Sequence, residues 1–262
     1  MIRVAARLVL ESARHGEGPE ADRIGDAARA VEILGDAMRL HAELLDSSAA
    51  RDREGEPVPA GLGGAWLLGQ AAETIASCGD EAAALWARTA HDLVRAHMLE
   101  IEDLYDAGRS PARYLAVAQM RAGSLLALAT SLGALMARTA EPVAAAFREY
   151  GLQLGIATEI ATDIVAIGGA NGRQPQARQL GCGNYTLPVL YALESDPELA
   201  GSLGKPLEPE ALPPLVERIR ASGGIERAQA ELERRVRAAE EALGELPADG
   251  LVAIASEVEG AR

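Results

Sequence analysis

Apolar residues recur every three or four positions along almost the whole chain, and Ala, Leu, Arg and Glu fill much of the space between. That is the period of an amphipathic α-helix built from good helix formers. Strand-like alternation is absent. The pattern predicts helices near 1–14, 20–48, 62–78, 80–107, 111–138 and 141–168, with shorter ones near 186–195, 209–221, 224–244 and 248–259. Ser110-Pro111 and Glu141-Pro142 place proline in a first helical turn, where it is tolerated. Asp80 and Ser222 read as starting caps, and Gly108, Gly151 and Gly168-Gly169 as ends or tight contacts. The polar stretch from Gly168 to Asn184, GGANGRQPQARQLGCGN, reads as one long loop. A loop of that length in a compact helical domain is functional or mobile.

Several helices are apolar over a wide face, which calls for a large all-α bundle with a central cavity or a central helix. No internal repeat or linker divides the chain. It reads as a single domain over 1–262, with 1–204 as the core bundle and 205–262 as a C-terminal set of short helices.

Composition narrows the partners. A formal net charge of −14 argues against nucleic acid or an anionic membrane surface. Lys205 is the only lysine, the mark of a GC-rich coding sequence, and chemistry needing a buried lysine would rest on it alone. Cys78 and Cys182 are far apart and in no metal-ligand spacing, which fits a reducing cytoplasm. The start, MIRVAARLVLESARHG, lacks the apolar core and cleavage site of an export signal. No apolar run approaches the ~20 residues of a membrane span.

The candidate chemistry lies in TEIATDIVAIGG, from Thr158 to Gly169. Glu159 and Asp163 stand one helical turn apart in a segment that otherwise reads as core. Carboxylates are seldom buried unless paired or holding a metal. Two readings stand side by side: an ion pair with an arginine such as Arg121 across the bundle, or a metal site. Glu43 and Asp46, at i and i+3, read by themselves as a solvated face. His15, His41, His91 and His97 form no spaced ligand set and read as structural. The stretch from Leu99 to Gly108, LEIEDLYDAG, is an acidic helix end with no nameable chemistry.

Four patterns occur in order: AVEILGDAMRLHAELLD from Ala30, GGAWLLGQAAETIAS from Gly63, YLAVAQMRAGSLLALATSLGALMA from Tyr114, and YGLQLGIATEIATDIVAIGG from Tyr150, followed by GNYTLPVLYAL. This order resembles the trans-isoprenyl diphosphate synthases, the polyprenyl synthetase family, over nearly the whole chain from about Arg3. The resemblance implies an isoprenoid-synthase-like helical bundle around a deep cavity. There an allylic diphosphate condenses with isopentenyl diphosphate on Mg²⁺ held by two DDxxD motifs.

Those motifs are worn. In the family's LGxxFQxxDDxxD, Thr158 stands for the Phe, Glu159 for the Gln, Thr162 for the first Asp and Ala166 for the third; Asp163 alone survives. Counted without a gap, the first motif falls on His41, Ala42, Glu43 and Asp46; a slipped alignment places Asp46 first and leaves it poorer still. The arginine pair after it falls on Arg51-Asp52 or Arg53-Glu54. The aspartate of the Gly-Asp pair becomes Gln70, the Lys-Thr pair becomes Arg121-Ala122, and the pairs near the long loop become Arg178-Gln179 and Gly183-Asn184. The family's N-terminal Gly-Gly-Lys-Arg-x-Arg-Pro has no counterpart beyond Arg3. The resemblance thus assigns Glu43, Asp46, Glu159 and Asp163 to a degenerate metal site, and Arg51, Arg121 and Arg178 to substrate binding.

Ionising a carbon–oxygen bond to release diphosphate relies on Mg²⁺ to neutralise the developing charge, and Mg²⁺ tolerates misplaced ligands poorly. The resemblance therefore implies a pseudoenzyme: a silent or severely impaired homologue that dimerises with itself or with an active prenyl synthase, or binds an isoprenoid. Two other readings remain beside it. One is an active prenyltransferase with a sparse Mg²⁺ site; the other is a cavity protein for an apolar ligand without diphosphate.

Overall fold

The computed structural model describes residues 2–16, 21–49, 58–168 and 177–260, and every regular element among them is helical. Four helices form the first half: α1 (Ile2–Ser12), α2 (Ala21–Ala49), α3 (Val58–Ala76) and α4 (Asp80–Glu102). The centre is built from α5 (Pro111–Ala118), a π-turn over Gln119–Gly123, α6 (Ser124–Met136) and the long α7 (Glu141–Gly168). Then come α8 (Ala177–Gly181), α9 (Leu187–Ser195), α10 (Leu212–Ala221), α11 (Gly224–Leu243) and α12 (Asp249–Gly260), with short 3₁₀ turns before α10.

The core forms around α7 because its sequence is apolar on nearly every side. Phe147, Tyr150, Leu154, Ile156 and Ile160 are all fully buried, and each such side chain contributes roughly 1.5–3 kcal/mol of transfer free energy. α6 packs along one flank and α11 along another. The approach of α6 is close because α7 carries glycine there. A Cβ at Gly155 would overlap the carbonyl of Ala122, and one at Gly151 would overlap that of Leu126. α11 also packs on α9, and the Tyr150 hydroxyl donates to the Leu251 carbonyl at 2.6 Å, tying α12 to the centre.

Most predicted helices appear, with instructive departures. α4 stops at Glu102 rather than 107. Asp103 is buried and accepts from Arg113 Nε at 2.7 Å and pairs with Arg109 Nε at 3.1 Å. The helix ends on that ion cluster, and Tyr105 beyond it takes a positive φ of 63°. The polar stretch expected to be one loop contains α8, held by buried Leu180. Gly79, at φ 102°, caps α4, with Asp80 in the first turn, and left-handed Gly223 starts α11. Ser222 instead closes α10, donating to the Ile219 carbonyl at 2.6 Å.

The expectation of no span-length apolar run also needs correction. Pro111–Met136 is long and apolar enough to cross a bilayer by length and composition, because Ala, Leu and Gly crowd its C-terminal half. In the fold it is a core segment packed among α1, α2, α4 and α7.

Candidate functional site

A cavity of about 490 Å³ opens between the C-terminal half of α7 and the helices around it. Each wall follows from helical periodicity. Glu159, Thr162, Asp163 and Ala166 line it from α7, at i, i+3, i+4 and i+7. Gly35, Met38, Arg39 and Ala42 line it from α2 with the same spacing, and Leu93, His97 and Glu100 from α4. Tyr114, Arg121, Ala122 and Leu125 come from the α5–α6 segment, and Gln179, Asn184 and Thr186 from the segment around α8. Positions 42, 162, 163 and 166 thus share one cavity.

Arg121 dominates the polar end. It sits in the π-turn, which adds a residue to the turn and is frequent at functional sites. From there its guanidinium forms ion pairs with Glu159 of α7 and Glu100 of α4 at once. Gly155, one turn before Glu159, admits the backbone of Ala122 and so brings this arginine within reach. Burial opposes the charge on Arg121, yet Glu100 and Glu159 beside it raise its pKa above the usual arginine value. A buried pair of this kind holds because both partners are satisfied; either alone is a stranded charge.

Asp163 is committed elsewhere. It is 6% exposed, accepts a hydrogen bond from the Tyr114 hydroxyl and takes a second from the backbone N–H of Leu187, the first residue of α9. Burial and the nearby Glu159 push its pKa up to about 7, while the Tyr114 and Leu187 hydrogen bonds and Arg121 pull the other way. Arg109 stacks over the Tyr114 ring at 5.3 Å, so the ion cluster that ends α4 also holds this tyrosine. His97 is buried 4.0 Å from Glu100, and burial, Arg121 and His41 hold its pKa down to about 4. It is a neutral imidazole at physiological pH.

Of the seven residues assigned from the sequence, the structure joins Arg121, Glu159 and Asp163 at this cavity. Arg51 lies outside the described residues, as do the side chains of Glu43, Asp46 and Arg178, whose backbones run in α2 and α8. Two residues at the site escaped the sequence reading, Glu100 and Tyr114, while His97, read as structural, is buried in the cavity wall. Glu100 belongs to the acidic helix end; its heptad spacing from Leu93, a core leucine, is the available signal. The described residues do not fit Mg²⁺. Glu159 is held by Arg121, Asp163 by Tyr114 and Leu187, and Thr162 donates to the Thr158 carbonyl at 2.9 Å. Among the described residues no three His, Cys, Asp or Glu side chains converge as a metal would need.

Comparisons with known proteins place these helices. Residues 2–211 match the Polyprenyl synthetase family. A nonaprenyl diphosphate synthase of Mycobacterium tuberculosis is 31% identical over 90% of this chain and 74% of its own length. Heptaprenyl diphosphate synthase component 2 of Geobacillus stearothermophilus is 27% identical over 94% of this chain and 80% of its own. A crystal structure of a polyprenyl synthase from Caulobacter crescentus, complexed with calcium and isoprenyl diphosphate, superposes with a TM-score of 0.89 at 25% identity, covering 99% of this chain and 84% of that one. With the helix order, the cavity beside α7 and the match along most of its length in agreement, this chain belongs to the polyprenyl synthetase family.

Proposed function

We propose that this protein is a non-condensing polyprenyl synthetase homologue that binds an isoprenoid in its cavity and serves as a partner or regulatory subunit in the cytoplasm. One observation carries the reading: Arg121 is bound by Glu100 and Glu159 together. A cation spent on two carboxylates is not available to a diphosphate. A carboxylate spent on an arginine is not available to Mg²⁺. Binding the metal–diphosphate pair would require breaking a buried ion pair, at ~3–5 kcal/mol for each partner left alone.

The partner role has its own support. Val94, Met98 and Ile101 lie at i, i+4 and i+7 on α4 and are 43%, 58% and 47% exposed. Leu62 and Trp66 on α3, the other arm of the same helical hairpin, are each 66% exposed. Exposed apolar faces of this kind mark association surfaces. The Geobacillus relative is named as one component of a heptaprenyl diphosphate synthase. We therefore assign this face to a homodimer or to a heterodimer with an active prenyl synthase.

The test is condensation of labelled isopentenyl diphosphate with dimethylallyl, geranyl or farnesyl diphosphate in Mg²⁺. No product is expected. Product formed at an ordinary enzymatic rate and abolished by Asp163→Ala would establish the second reading, an active transferase with Mg²⁺ on Glu43, Asp46, Glu159 and Asp163 and diphosphate on Arg51, Arg121 and Arg178. The identity to the Mycobacterium synthase and the retained Asp163 favour that alternative.

A further inference from the structure

We infer that the cavity takes an apolar chain ended by an uncharged hydroxyl, a linear isoprenoid alcohol, in place of a prenyl diphosphate. This deepens the non-condensing reading and rests on it.

The charges come first. Glu100, Glu159 and Asp163 face the polar end; Arg121 is shared by the two glutamates, and Asp163 is held by Tyr114 and the Leu187 N–H. Arg39, at the rim, pairs with Asp36 at 3.2 Å and its side chain is 54% exposed. Recognition of a phosphate-bearing head rests on cations aimed at its oxygens. Among the described lining residues three carboxyl groups stand against Arg121 and Arg39, and both arginines are already paired, so an anionic head finds no uncommitted cation there.

The hydrogen-bonding capacity left over is neutral. Thr186 lines the cavity, is 6% exposed, and its hydroxyl has no partner among the described residues. It stands at the N-cap of α9, yet makes no capping bond. A buried hydroxyl without a partner is costly, and a ligand that satisfies it gains what the fold leaves unmade. Asn184 and Gln179 line the same edge with uncharged amides. Against them stand Leu93, Met38 and Leu125, an apolar wall for a hydrocarbon chain. The volume, about 490 Å³, is that of a small-molecule site, and such sites pair apolar walls with a few fixed polar groups. A hydroxyl both donates and accepts, which suits threonine and amide neighbours and asks nothing of Arg121.

The experiment compares farnesol, n-tetradecanol and farnesyl diphosphate, the last with and without Mg²⁺, by titration calorimetry and thermal melting on the full chain. Farnesol is expected to bind and raise the melting temperature, and the diphosphate to do neither with or without metal. Thr186→Val keeps the side-chain shape and removes the hydroxyl; it should weaken farnesol about fivefold, the worth of one hydrogen bond. Asn184→Leu serves as a second variant, and the melt of each free variant verifies folding. Tighter binding of the diphosphate with Mg²⁺, no binding of farnesol, or unchanged affinity in both variants overturns the inference. Equal affinity for n-tetradecanol overturns its isoprenoid part. Condensation activity, assayed on the same preparation, would overturn the non-condensing reading itself; absent activity with absent farnesol binding overturns the alcohol assignment alone.

Discussion

Tyr114 donates its phenolic hydrogen to Asp163 across the junction of α5 and α7. Asp163 is therefore held by a hydroxyl and, on its other side, by the backbone at the start of α9. A carboxylate so placed organises three elements, α5, α7 and α9, around the polar end of the cavity.

Removing that hydroxyl tests the arrangement. Tyr114→Phe leaves the ring under Arg109 and deletes one hydrogen bond to a buried carboxylate. A loss of ~1.5–3 kcal/mol is expected, as for hydrogen bonds to charged groups. Urea unfolding reads it directly as a lower midpoint with an unchanged slope. An unaltered midpoint would mean that Asp163 does not depend on this donor.

Arg121→Met should be more damaging, because it strands Glu100 and Glu159 together. The expected cost is ~3–5 kcal/mol. Adding Glu100→Gln and Glu159→Gln to the same chain should recover most of it, since the stranded charges go with the arginine. A triple variant as unstable as the single one would show that Arg121 acts through packing and not through charge.

The pH dependence has two opposed parts. His97 is held down to about 4 against an ordinary ~6.5. The folded state thus favours the neutral imidazole, and its stabilising share is complete above pH ~6.5 and lost as pH falls toward 4. The shift corresponds to ~3 kcal/mol at most. Asp163, raised to about 7, works the other way: its share is complete below its ordinary carboxylate range and lost as pH climbs to 7. The parent should therefore show a muted change in unfolding free energy between pH 4 and 6.5. Asp163→Asn should expose a steeper fall on acidification, and His97→Gln a fall on alkalinisation. Parallel profiles for all three proteins would contradict the assignment.

Two glycine substitutions separate packing from propensity. Gly155→Ala drives a methyl into the Ala122 carbonyl on the neighbouring segment, so a loss of ~1–3 kcal/mol or more is expected from overpacking. Gly25→Ala, in α2 with open space around it, should gain ~0.5–1 kcal/mol from helix propensity. Thermal melts of the pair should move in opposite directions.

How much of this was legible beforehand depends on the range of the forces involved. The helices of the core were readable from the 3.6-residue period because burial of a stripe is a local property of the sequence. The cavity-facing register of α7 was readable too: Glu159, Thr162, Asp163 and Ala166 share a helical face by spacing alone. The end of α4 was not readable, because apolar residues continue past Glu102 and only the meeting of Asp103 with Arg109 and Arg113 stops the helix. Nor was α8, whose polar sequence carries almost no periodic signal.

The partnerships at the polar end belong wholly to the tertiary structure. From the sequence, Glu159 had two candidate fates, a metal or an arginine, and spacing along one helix does not choose between them. The choice was made by two glycines that let α6 approach α7 and by a π-turn that aims Arg121 inward. Glu100, Arg121 and Glu159 lie on three separate segments, and a charge pairs with whatever the fold brings within a few ångströms. The sequence determined which residues face inward; only the packed helices decided which of them meet.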